Sequence, residues 1–374
     1  MKIHPLLRDP NAVLIIQVPI STPVAWDDYR RAAMRAMAAL QIGLEGERVV
    51  IKPNLTSGER FADPDTGITT HPGFVQGMVE YLKGHGAPAR RITIAEDPRN
   101  SNDNLPRHWI GTGYERLAQA TGARLHCPTP YTCVKKQVPH PLVFERLNVS
   151  RLAVAPNTVL FNVPKLKTHN LSITTLGMKN LMGLVNVFDR HYCAQAWKDL
   201  PEEVRQDPHE VQPNAPRPRS EWLDQVNHER WQEGLARRLT DTAQVIQPAL
   251  NIIEGIVGRE GTGFQRGRNR ALGLAIAGIN LVAVDSLASY LMGFDPQAII
   301  YLDVAARAGL GVNDIEKLRV YTLQDGELVL CPDVRALRIA PPLRVLSGIM
   351  GEDPNVFRSQ DATTRDPTDT VWIK

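Results

Sequence analysis

"RVVIKP" (48–53), "GFVQGMVEYLKGHG" (73–86) and "RITIAED" (91–97) decide the fold of this chain. The outer two are short and β-branched, whereas the middle one spaces its apolar residues helically and closes on glycine, which suits a left-handed helix cap. Strand, helix and strand in direct succession form a βαβ unit, which needs a parallel sheet covered by helices. The same alternation extends outward. "AVLIIQV" (12–18) is predicted as a strand and "WDDYRRAAMRAMAAL" (26–40) as a helix. Further on, "TVLFNVPK" (158–165), "LNIIEG" (250–255) and "ALGLAIAG" (271–278) read as strands, with "INLVAVDSLASYLMG" (279–293) and "QAIIYLDVAARAGLG" (297–311) as helices ending at glycine.

The expectation is an α/β fold: a mixed, largely parallel sheet flanked by helices, forming one unit over residues 1–335 with lobes of about 1–150 and 151–335. Residues 186–228, rich in charge, proline and histidine ("QDPHEVQPNAPRPRSEW"), read as an insertion serving as a lid; residues 336–374 read as a C-terminal arm or tail.

The chain has 374 residues, with 43 lysines and arginines against 40 acidic residues and a formal charge of +3, so there is no general drive toward nucleic acid or an anionic membrane. The apolar run near the start is broken by Pro5, Arg8, Asp9 and Pro10, which fits neither a signal peptide nor a membrane span; a cytoplasmic protein is expected. Its 4 cysteines (Cys127, Cys133, Cys193 and Cys331) contain no CxxC pair, so buried thiols are expected rather than a disulfide framework or a cluster.

Against this near-neutral background, "NVPKLKTHNLSITTLGMKNLMGLV" (162–185) gathers Lys165, Lys167, His169 and Lys179. In an extended segment Lys165, Lys167 and His169 fall at i, i+2 and i+4 and project to one side. A helix starting near Leu171 would then line up Ser172, Thr175 and Lys179 as a polar stripe. A strand end, a basic loop and a helix start together favour an anion. Other predicted strands end on Lys52 and Asn54, on Glu96 and Asp97, and on Glu254 ahead of Glu260 in a glycine-rich loop, at the kind of position where open α/β sheets bind ligands. His71 precedes Pro72 at a helix start, and Asp285 lies near another. The arginines of "GREGTGFQRGRNR" (258–270) can clamp a carboxylate or phosphate, or form a solvated turn. "GHGAPA" (84–89) follows a helix instead of opening one, so it is a helix stop and not a dinucleotide fingerprint.

Taken in order, "IKPNL", "TTHP", "NVPKLKTH", "GMKNLMGLV", "EGIVGREGTG" and "VAVDSLASYLMGFDP" resemble the family called domain of unknown function 362. Many relatives carry a ferredoxin-like cysteine segment, which implies redox chemistry in them; this sequence lacks that segment, so an iron–sulfur cluster is not expected within the chain. The resemblance carries over Lys52, Asn54, His71, Lys165, Lys167, His169, Lys179, Asn180, Glu260 and Asp285 as matching positions without assigning them roles.

The functional expectation is an enzyme acting on a small phosphate- or carboxylate-bearing substrate at the strand ends. In it His169, Lys167, Lys179 and Glu260 are catalytic, and Lys52, Asn54, Lys165, Asn180 and His71 bind substrate. Glu96, Glu254 and Asp285 are candidate ligands for a divalent metal, with metal-assisted or redox-linked chemistry both open. The alternative is a non-catalytic protein that binds an anionic cofactor or docks a separate redox partner through the same basic patch.

Overall fold

The computed structural model describes residues 1–55, 64–97, 109–186, 189, 192–200, 225–263 and 267–345. Its first part runs β1 (Ala12–Gln17), α1 (Trp26–Ala39), β2 (Arg48–Pro53), α2 (Pro72–Gly84), β3 (Ile92–Ala95), α3 (Tyr114–Thr121) and β4 (Arg124–His126). A small hairpin follows, β5 (Cys133–Gln137) with β6 (Arg146–Ser150), and then β7 (Thr158–Val163), β8 (Lys165–His169), β9 (Ile173–Thr174), α4 (Gly177–Asn180) and α5 (Tyr192–Lys198). The chain continues with α6 (Gln225–Val245), β10 (Leu250–Arg259), β11 (Asn269–Gly278), α7 (Leu281–Met292), α8 (Ile300–Arg307), β12 (Arg319–Gln324) and β13 (Glu327–Leu330).

The main sheet has the order β13-β12-β1-β11-β10-β7-β2-β3-β4, with β8 and β9 attached beside β10. From β10 to β4 every neighbouring pair is parallel, while β11 runs antiparallel to both β1 and β10, so the sheet is mixed and mostly parallel. Successive residues of β1 alternate between two cores: Val13 and Ile15 face one side, Leu14 and Ile16 the other. The first core is filled by Leu235, Leu239, Leu287 and Leu302, the second by Met37, Phe74, Met78 and Leu117. Helices therefore cover both faces, which explains why the central strands read as continuous apolar runs.

Two features position the site. From β2 the chain steps out to β3 and β4 and then returns to place β7 on the opposite edge of β2, with Lys52 opposite Asn162 and Pro53 opposite Val163. The strand order thus reverses at β2, and the carboxyl ends beside such a reversal form the crevice where open α/β sheets bind ligands. Second, Pro164 interrupts what would be one long strand, because proline has no N–H for the ladder. β7 pairs with β10 at Leu250 and Asn251; beyond the proline, β8 pairs with it again at Glu254 and Arg259. Glu254 N donates to Pro164 O (2.8 Å) at the break.

The helix expected from Leu171 is not present; a short hairpin of β8 and β9 stands there, and the helix begins at Gly177. Side chains take the backbone groups a helix would need. His169 Nδ1 accepts from Leu171 N (3.0 Å) and Ser172 N (3.3 Å), and Ser172 Oγ donates to Thr174 O (2.9 Å). The β-branched run Ile173, Thr174 and Thr175 favours the extended form further. Of the proposed insertion 186–228, most falls outside the described residues, His191 and His209 included; α5 and the start of α6 are the helical parts described. The beginning of the expected C-terminal arm is anchored, with Leu343 buried and its N–H donating to Met292 O (2.9 Å). No described helix is long and apolar enough to cross a membrane.

Candidate anion site

The lysines of the sequence cluster are core residues. Lys52, Lys165 and Lys167 are almost fully buried, while Lys179 and His169 are partly open. Desolvating an ammonium is costly, so each needs compensation. Lys52 donates to Glu96 Oε2 (2.6 Å), Pro53 O (2.6 Å) and Asn180 Oδ1 (3.1 Å). Asn180 in turn donates to Lys52 O (3.0 Å) and Asn162 Oδ1 (2.8 Å), so α4 is laced to the ends of β2 and β7. Lys165 donates to Glu254 Oε2 (2.7 Å), and the same carboxylate accepts from His71 N (3.2 Å) and Ile256 N (2.9 Å).

Lys167 donates to Ile68 O (2.9 Å), and its pKa is driven well below the lysine range, first by burial and then by Lys179, Arg259 and Lys165. Opposite it in the ladder stands Arg259, which is 2% exposed. Arg259 Nη1 donates to Asn269 Oδ1 (2.9 Å) and Thr66 O (3.2 Å), but among the described residues its Nε and Nη2 have no hydrogen-bond partner. Burial lowers its pKa to about 10. Among the described residues two more buried polar atoms, Asn54 Oδ1 and Thr69 Oγ1, lack hydrogen-bond partners. Asn54 N donates to Thr70 Oγ1 (2.8 Å), so residues 66–70 touch Arg259, Lys167 and Asn54 in turn.

Lys179 Nζ lies against His169 Nε2. Burial, then Lys179 and Lys167, hold His169 well below the usual imidazole pKa; Lys179 is itself lowered by burial. His71 is a different kind of histidine. Its Nδ1 caps α2 by accepting from Gly73 N (3.0 Å), its ring stacks on Tyr29 at 3.8 Å, and burial with Lys165 brings its pKa to about 3.

Residues 49–290 match the family described as a domain of unknown function, DUF362. The chain belongs to the DUF362 family. A thylakoid-associated protein of Synechocystis sp. is 27% identical over 266 residues, covering 71% of this chain and 69% of that protein. The lactate racemase apoprotein of Thermoanaerobacterium thermosaccharolyticum is a loose structural likeness, with TM-score 0.41 and 14% identity over 76% of this chain and 58% of that one.

In this DUF362 chain the expected residues divide into separate arrangements. Lys52, Lys165, Lys167, Lys179, His169 and Asn180 meet around the ends of β2, β7 and β8, with Asn54 and His71 at its margin. Glu260 faces elsewhere: it pairs with Arg268 (2.9 Å), Arg270 (3.5 Å) and Arg344 (3.7 Å), a clamp on the C-terminal arm. Glu96, Glu254 and Asp285 are likewise held apart. The first two are taken up by lysines, and Asp285 accepts from Gly177 N (2.7 Å) and Met178 N (2.9 Å) at the start of α4. Among the described residues no group of three or more His, Cys, Asp or Glu side chains is gathered as a metal would need. Burial raises Asp285 to about 7 despite those two bonds. Arg259 is the residue that sequence reading did not single out among its arginines. Its signal was its place at the end of "LNIIEGIVGR", where an arginine closing an apolar strand has no solvent to reach.

Proposed function

We propose that this protein is an enzyme that binds a small carboxylate- or phosphate-bearing substrate at the carboxyl ends of β2, β7, β8 and β10 and moves a proton on it. The observation that carries this reading is the Arg259 fork, two buried donors without partners among the described residues, on a strand beside Lys167. A buried guanidinium with free N–H groups costs stability unless an anion completes it, and its planar fork matches carboxylate and phosphate oxygens. Two of the four lysines are paired with Glu96 and Glu254, and the charge offered to a substrate comes from Arg259. His169, kept uncharged by its neighbours and partly open, serves as the acid or base. Lys52, Lys165, Asn180 and Asp285 hold the site's geometry. The cytoplasm, rich in such anions, is the compartment of this reading; thylakoid association is a property of the relative.

A panel of small carboxylates and phosphate esters incubated with the protein in deuterated water tests it. Deuterium should enter a carbon next to the anionic group of at least one compound, and His169→Gln should slow that entry by roughly 100-fold or more. Deuterium entry that survives His169→Gln unchanged, or none across the panel while the anions bind, favours the non-catalytic alternative.

A further inference from the structure

The four lysines of the site are not equivalent. Lys52 and Lys165 each donate to a carboxylate, a pairing that favours the ammonium form. Lys167 donates to a backbone carbonyl and is 3% exposed. Lys179 is the partly open one, and its hydrogen-bond partner among the described residues is the His169 ring. The ring fixes the sense of that contact. Leu171 N–H and Ser172 N–H both point at Nδ1, so Nδ1 accepts and the proton of the neutral ring is on Nε2. An Nε2–H facing Lys179 Nζ makes a hydrogen bond only if the nitrogen accepts, which an uncharged amine does and an ammonium cannot.

We propose that Lys179 is a covalent catalytic residue whose ε-amine forms an imine with an aldehyde or ketone that carries a carboxylate or phosphate, the anionic group lying against Arg259 and Lys167. This rests on the anion site of the preceding section and names the second functional group its substrate bears. The amine lone pair adds to the carbonyl carbon. A C–N bond forms while the C=O π pair moves onto oxygen, which takes the Nε2 proton of His169; the ring then recovers a proton from the new ammonium. The carbinolamine oxygen takes the Nε2 proton again and leaves as water with the C–O pair while the nitrogen lone pair closes the C=N bond, and the ring regains its proton from solvent, so the product is the iminium. Nothing is oxidised or reduced. Burial without a carboxylate partner among the described residues lowers the pKa of Lys179 and favours its free amine. The iminium so formed is the electron sink that a proton-transferring enzyme without a carboxylate base needs.

The test uses the full chain with pyruvate as the carboxylate-bearing carbonyl and glycolaldehyde phosphate as the phosphate-bearing one, each with sodium cyanoborohydride, followed by peptide mass spectrometry. At least one probe should leave a reduced secondary amine on Lys179, and inorganic phosphate should suppress the labelling. Lys179→Met and Lys179→Arg should lose the adduct without moving it to Lys167; the second variant keeps the charge in case the first fails to fold. Adducts spread over surface lysines to the same extent in wild type and Lys179→Arg overturn the proposal. So does unlabelled Lys179 in a protein that binds inorganic phosphate through Arg259, an outcome that leaves the anion site itself standing. A protein that binds neither phosphate nor the two carbonyl probes overturns both.

Discussion

Glu254→Gln removes the charge partner of a lysine that has no solvent to turn to. Lys165 and Glu254 are both 0% exposed by side chain, and the carboxylate collects three donors: Lys165 Nζ, His71 N and Ile256 N. A glutamine keeps one oxygen for these donors and turns an NH2 group toward the rest. Breaking a buried pair from one side costs about 3–5 kcal/mol. Lys165 can escape by losing its proton, which for an ordinary lysine costs about 5 kcal/mol at pH 7 and caps the damage at a similar size. Burial has already lowered the Lys165 pKa while Glu254 holds it up, so the cap lies under that figure, and a loss of about 3–4 kcal/mol is expected. The pH dependence has a definite sign. A lysine lowered in the folded state binds its proton more weakly than in the unfolded chain, so stability rises with pH between the folded and unfolded values. Without Glu254 that window widens downward, and the variant should recover stability between pH 7 and 9.5 by up to about 1.4 kcal/mol per pH unit. Urea unfolding at several pH values reads both quantities, and Lys165→Met combined with Glu254→Leu should be more stable than either single change. A loss below about 1 kcal/mol, with no extra pH slope and additive changes in the double variant, would refute the reasoning.

Asp285 has the opposite sign. Its carboxyl, raised by burial to about 7 from an unfolded value near 3.9, binds its proton more tightly in the folded state, so its contribution falls as pH rises from about 4 to above 7, by up to about 4 kcal/mol. Asp285→Asn should therefore gain on the wild type between pH 5 and 8 in urea unfolding, and parallel curves would contradict the burial argument. Gly183→Ala would place a methyl 2.0 Å from Glu96 Oε1 and 2.7 Å from Lys52 Cε, so it should cost about 1–3 kcal/mol in thermal unfolding and weaken anion binding, whereas Gly84→Ala, with nothing near, should do neither.

Much of the fold was legible because its signals are local. The ends of β2, α2 and β3 follow from β-branched runs and a helical spacing that closes on glycine, and Lys165, Lys167 and His169 fall on one strand as their spacing requires. What failed was non-local. The helix read from Leu171 gave way because His169 and Ser172 side chains compete for the backbone, a contest a periodicity count does not see. The start of α6 was folded into the insertion because a charged, proline-rich neighbour masked it. Reading Glu96, Glu254 and Asp285 as metal ligands followed from carboxylates arriving at strand ends, but Lys52 reaches Glu96 across 44 residues and Lys165 reaches Glu254 across 89, pairings that only the sheet order reveals. The meaning of Arg259 likewise depends on β8 resuming its pairing with β10 after Pro164.

Calorimetric titration of inorganic phosphate into the wild type and into Arg259→Met, with folding checked by circular dichroism, tests the anion site most directly. Arg259 Nε and Nη2 are buried donors without partners among the described residues, so losing them should weaken binding by about 2 kcal/mol or more, roughly 30-fold, while Arg268→Met in the Glu260 clamp should leave affinity unchanged. Phosphate binding of equal strength in the wild type and Arg259→Met would contradict the account.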